Sequence, residues 1–163
     1  MIRINRKNGF TLIELLAVIS ILAIIAVIAT PNIITLVDNS KKQEFISDAS
    51  SFASKALYKY KFEKYDSLFV VNGNCKTITL KNIGITSQTD PDGNNYDLDN
   101  SIVKICEETN NGLKEKVSYI LLKSTTTETD KRVRGIFDNN SSDKTVNVEN
   151  LGIKYVLDLK ELK

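Results

Sequence analysis

Histidine is missing from this chain, and so is tryptophan. Without histidine it has neither the commonest general base nor the usual zinc ligand, so catalysis has little to start from and no enzyme is expected. Nothing in the pattern calls for a cofactor. Charge of one sign is also lacking: 22 Lys and Arg stand against 20 Asp and Glu. Three of the cations, Arg3, Arg6 and Lys7, lie in the first nine residues, and losing those residues takes the formal charge from +2 to −1. Such a balance provides no electrostatic footprint for nucleic acid or anionic lipid and argues for protein partners. Cysteine is limited to Cys75 and Cys106. A bridge between them would close a loop of about 30 residues, for which chain entropy alone suggests roughly 3 to 4 kcal/mol. Two unpaired thiols buried as small hydrophobes remain the alternative.

What the chain has in abundance is apolar sequence near its start. From Phe10 to Ala29 one charge interrupts the run, Glu14. Twenty residues at a 1.5 Å rise make ~30 Å, the thickness of a bilayer's hydrocarbon core. Arg3, Arg6 and Lys7 precede the run and should stay cytoplasmic, which places everything after it outside. A carboxylate at membrane depth is expensive, so Glu14 should have a partner and a task. Three readings compete. An ordinary signal peptide could be cut after Val27-Ile28-Ala29 and release a soluble secreted binding domain beginning at Thr30. A plain uncleaved anchor would leave Gly9 and Glu14 without a role, and neither of these two readings needs the acid.

The third reading follows from the residues Lys7-Asn8-Gly9-Phe10-Thr11-Leu12-Ile13-Glu14-Leu15-Leu16. With the basic leader before them and Pro31 beyond, they resemble the prepilin cleavage and methylation motif of type IV pilins and the related pseudopilins. The resemblance implies cleavage between Gly9 and Phe10 by a membrane prepilin peptidase, N-methylation of Phe10, and assembly involving Phe10, Glu14 and Pro31. Cleavage frees an α-amine on Phe10, and Glu14 is expected to pair with that amine on a neighbouring copy. Ala23 stands midway along the apolar run where many members carry Gly. The implied partners are other pilin subunits in a homopolymer, the peptidase, an inner-membrane assembly platform and the membrane itself before assembly. The implied location is a single-pass precursor with a cytoplasmic N-terminus, then an extracellular pilus on the cell surface. The role expected is a structural pilus subunit serving adhesion, motility or aggregation, with a pseudopilin or minor pilin for secretion or DNA uptake as the alternative.

After Pro31 the pattern becomes amphipathic. Phe45, Ala49, Phe52, Ala53, Ala56, Leu57 and Tyr60 fall at i, i+4, i+7, i+8, i+11, i+12 and i+15, one stripe of a helix ending between Phe62 and Tyr65. Beyond Asp66 short β-prone runs are separated by Asn, Gly and Asp. Strands are expected at Leu68–Val71, Thr77–Leu80, Ile102–Cys106, Val117–Lys123, Val133–Phe137 and Ile153–Leu159, with breaks at Asn72-Gly73-Asn74, Asn110-Asn111-Gly112 and Asp138-Asn139-Asn140. Val117–Lys123 should be central. Val133–Phe137, beside Arg132 and Arg134, suits an edge. Ser124 to Asp130 reads as an exposed polar loop, with extension of a neighbouring strand by its threonines as the alternative. The fold class is therefore α+β and pilin-like, a long N-terminal helix packed on a C-terminal antiparallel sheet. Its parts are leader 1–9, membrane and assembly half-helix 10–30, amphipathic half-helix 31–65 and extracellular head 66–163.

Two further clusters invite a site. Asp90, Asp92, Asn94, Asp97 and Asp99 bring together hard oxygen donors of the kind calcium takes, but Gly93 comes too early for an EF-hand and Ser101 stands where its bidentate Glu belongs. Asp-Pro and Asp-Gly are equally plain turn chemistry. Lys131, Arg132 and Arg134 could meet DNA phosphates, but flanking acids and the want of an aromatic row favour solvated edge charge, so nucleic acid is not an expected partner.

Overall fold

The computed structural model describes residues 10–62, 68–126 and 132–162. The chain divides into two compact units, one ending at Asp38 and one beginning at Asn39, and the helix α1 (Leu12–Phe62) contributes to both. In the first unit Ile and Val, poor intrinsic helix formers, are frequent. The helix there suits an apolar solvent, where every backbone group must be satisfied within the segment. Ser20, Thr30 and Thr35 are polar, and each turns its hydroxyl back to the carbonyl four residues earlier, at 2.8, 2.6 and 3.1 Å. Pro31 lies inside α1 without interrupting it, although its ring removes one backbone donor. The exposed apolar surface continues past Ala29 through Ile33, Ile34, Leu36 and Val37, and no charge occurs between Leu15 and Val37.

In the second unit α1 buries Phe45, Ala49, Phe52, Ala53 and Ala56, with Ile46, Leu57 and Tyr60 half-buried beside them. This is the expected stripe, and its three alanines leave room for bulky residues opposite. Those residues are Ile78, Val103, Ile105, Ile120 and Leu122 of the sheet. Tyr96 joins the two layers: its ring meets Phe45 and Phe52 edge-on at 6.0 and 5.4 Å, and its hydroxyl donates to Asp48 at 2.7 Å. Burial, then the Asp48 carboxylate, raises the Tyr96 pKa far above the ordinary phenol value.

The antiparallel sheet contains β1 (Val70–Asn72), β2 (Cys75–Thr79), β3 (Asn95–Tyr96), β4 (Ile102–Asn110), β5 (Leu113–Thr125), β6 (Arg134–Ile136), β7 (Val146–Asn147) and β8 (Val156–Asp158). Its order is β1-β2-β4-β5-β6-β8, and β3 and β7 also pair with β5. The expected Val117–Lys123 strand is thus the centre, as part of β5. The β4–β5 hairpin turns through Asn111-Gly112 with φ of 50° and 80°, the primed geometry that Asn-Gly favours and that matches strand twist. Its outer half, with Glu107, Glu108 and Lys114 to Lys116, extends both strands beyond the apolar runs that mark them in the sequence. Ser124 and Thr125 belong to β5, the alternative of strand extension, while 127–131 lie outside the described residues.

Three expectations are corrected. Thr77–Leu80 stops as a strand at Thr79, whose hydroxyl accepts from the Asn82 amide and caps a short helix α2 (Leu80–Ile83). Ile153–Leu159 narrows to β8, flanked by 3-10 turns at Ile153–Tyr155 and Leu159–Glu161. Val133–Phe137 is no edge: β6 lies between β5 and β8 with all three residues buried. Gly135 suits this position, since a Cβ there would stand 2.4 Å from the Leu122 carbonyl oxygen of β5.

Candidate functional site

Gly9 and the leader 1–9 lie outside the described residues, and the site begins at Phe10, which is 82% exposed. Thr11 is the N-cap of α1. Its amide and hydroxyl both donate to Glu14 Oε2, at 2.9 and 2.8 Å, and the Glu14 amide reaches back to the Thr11 hydroxyl at 3.4 Å. This is a capping box, in which two otherwise orphaned backbone donors at the helix start are satisfied reciprocally. Thr-x-x-Glu ahead of an apolar run is the sequence signal for it, and the expectation for Glu14 as a charged partner did not include it. Both bonds end on Oε2, which leaves Oε1 for a further donor. From Leu12 onward α1 is long and apolar enough to cross a membrane, and none of its most apolar stretch is buried within the chain. A continuous row of bare Leu, Ile and Val beginning at one capped acid can do two things chemically: dissolve in lipid, or pack against copies of itself.

The second candidate is the acidic loop of the second unit. Asp90 is buried, and its Oδ1 accepts the amides of Asp92 and Asn94 at 2.8 Å each. Asn94 is also buried; its Nδ2 donates to Asp90 Oδ2 at 3.3 Å and to the Arg132 carbonyl at 2.9 Å. This local bonding presents Asp92 to Arg134, whose Nε and Nη2 donate to its two oxygens at 2.5 and 2.7 Å, while Lys41 of α1 adds a contact at 3.2 Å. Burial opposes ionisation of Asp92, but Arg134 and then Lys41 outweigh it and hold the carboxyl below the usual Asp range. Asp97 accepts from the Asn100 amide and side chain at 3.1 and 2.9 Å, and Asp99 from Lys81 at 3.0 Å. Among the described residues no group of three or more acidic, His or Cys side chains is placed to hold a metal.

The basic cluster is broken up by the fold. Lys131 lies outside the described residues, Arg132 pairs with Asp158 at 2.7 Å, and Arg134 is 1% exposed. The solvated edge charge expected for Arg134 is therefore an interior ion pair, made affordable by the Asp92 fork. Cys75 and Cys106 are direct cross-strand neighbours in the β2–β4 ladder and are joined as a disulfide.

Comparison with known families gives one finding. Residues 4–30 match the prokaryotic N-terminal methylation motif, the signature of type IV prepilins. No curated protein and no solved structure matches the chain.

Proposed function

We propose, from the premise that residues 4–30 carry the prepilin signature, that this chain is a structural subunit of an extracellular type IV pilus. A prepilin peptidase cuts after Gly9, Phe10 becomes the N-methylated terminus, and an assembly platform in the membrane draws the subunit into a homopolymer. The observation that carries this reading is the uncharged, exposed apolar half of α1, which starts at Glu14 inside the matched motif. In the precursor, lipid covers it; in the fibre, neighbouring copies do. The new α-amine on Phe10, of ordinary pKa about 7.7 to 8.0, is cationic and absent before cleavage. It meets Glu14 Oε1 of the adjacent copy and fixes the axial register. The unbroken run of α1 through Ala29, Thr30 and Pro31 speaks against release of a soluble domain at Ala29, because that cut would fall within a helix.

Mass spectrometry of the mature N-terminus tests the first step: methylated Phe10 supports the reading, and a terminus at Thr30 sinks it. Glu14 needs two variants because it also caps the helix. Glu14→Gln keeps a capping-box acceptor but removes the charge, whereas Glu14→Ala removes both. Both variants should be cleaved and membrane-inserted, and neither should enter sheared fibres. Normal incorporation of Glu14→Gln would refute charge pairing. The abundance of the wild-type chain in those fibres separates a major subunit from a pseudopilin or minor pilin.

A further inference from the structure

The acidic loop has the composition of a cation site, and a cation is already in it. We propose that Arg134 serves as the built-in cation of the Asp90–Asp99 loop, closing it with a guanidinium in place of a divalent metal. This holds whichever fibre the chain builds. Arg134 comes from β6, is almost wholly buried, and engages both oxygens of Asp92. That planar two-pronged fit is the strongest form of carboxylate recognition available to a side chain. The guanidinium carbon also lies 5.6 Å from the centre of the Phe45 ring, so α1 supplies a wall for the cation as well as the Lys41 ammonium.

A dication among the same oxygens would stand against both Arg134 and Lys41, with like-charge repulsion in a partly desolvated place. It would also have to displace the donors that already hold those oxygens. Calcium takes six to eight oxygens, whereas Asp90, Asp97 and Asp99 spend theirs on loop amides, Asn100 and Lys81. Within the loop, Asn94 Oδ1 is the buried side-chain oxygen left without a donor. The consequence is a head whose loop, helix and sheet are tied together by one carboxylate, Asp92, without help from ions in the medium.

The test uses the full chain in detergent micelles and reads its thermal midpoint with a calcium chelator and with millimolar calcium. The wild type should give the same midpoint in both. Arg134→Met should lower the midpoint by many degrees and, with the Asp92 carboxylate now held by Lys41 alone, should regain part of the loss when calcium is added. A wild-type midpoint that rises with calcium overturns the proposal, as does an Arg134→Met protein that keeps the wild-type midpoint or ignores calcium. If Arg134→Met does not fold, Asp92→Asn provides the second arm: it should lower the midpoint equally with and without calcium, and an unchanged midpoint would count against the tie.

Discussion

Replacing both Cys75 and Cys106 with alanine removes the covalent tie between β2 and β4 while leaving the strands in register. The cysteines are 31 residues apart in sequence and directly opposite in the ladder. The enclosed chain holds α2, the acidic loop and β3, so in the unfolded state the bridge denies freedom to about a quarter of the second unit. The chain-entropy relation for a loop of that length gives about 3.7 kcal/mol at 25 °C. For a unit of about 125 residues, a loss of that size lowers the thermal midpoint by roughly 10 to 15 °C. The assay is thermal unfolding of the full chain in detergent, oxidised wild type against the double variant. Ile78, Val103 and Ile105, all buried in β2 and β4, hold the two strands together without the bridge, so the variant should still fold. A midpoint within a few degrees of the wild type would refute the reasoning. It would mean either that the unfolded chain retains structure across this loop or that the thiols are not bridged in the natural product.

Two further outcomes follow from the head. Gly135→Ala puts a Cβ 2.4 Å from the Leu122 carbonyl oxygen and 3.0 Å from Leu159 Cδ2; the leucine can yield but the paired backbone cannot. The expected cost is about 1 to 3 kcal/mol, read as a lower denaturant midpoint at unchanged slope, and a shift near zero would show that β6 can slide. Acid should loosen the head through Asp92 and Asp143. Burial works against ionisation of Asp143, but Lys104, Thr145 and Ser141 outweigh it and keep its pKa below the ordinary 3.8. Arg134 and Lys41 do the same for Asp92. Because the unfolded chain takes up these protons first, the stabilisation is whole above pH 3.8 and fades as the pH falls from there toward the folded values. Asp143→Asn should therefore flatten the acid limb of a plot of thermal midpoint against pH, and an equally steep limb would count against the assignment.

Much of the molecule could be read from neighbours in the chain. The stripe from Phe45 to Ala56 repeats at helical spacing, and the same residues are the buried face of α1. Asn111-Gly112 is a two-residue turn because of its own backbone preferences. The prepilin signature, too, is a linear pattern within residues 4–30. The capping box is equally local, since Thr11 and Glu14 stand three residues apart at the start of α1. The strand at β6 was misplaced for a different reason. Its charged residues look like those of a solvated edge until Asp92, 42 residues earlier, arrives to neutralise Arg134.

The sequence by itself determined the long apolar run, the methylation motif within residues 4–30 and the amphipathic helix, since hydrophobic run length, flanking charge and periodicity act over a few turns of one segment. Only the tertiary structure decided that Arg134 is interior, that the acidic loop closes on a guanidinium, that Cys75 faces Cys106, and that β6 is covered by β8. Those outcomes depend on which distant strands align, and a charge or a thiol acquires its meaning only when the chain brings its partner to it.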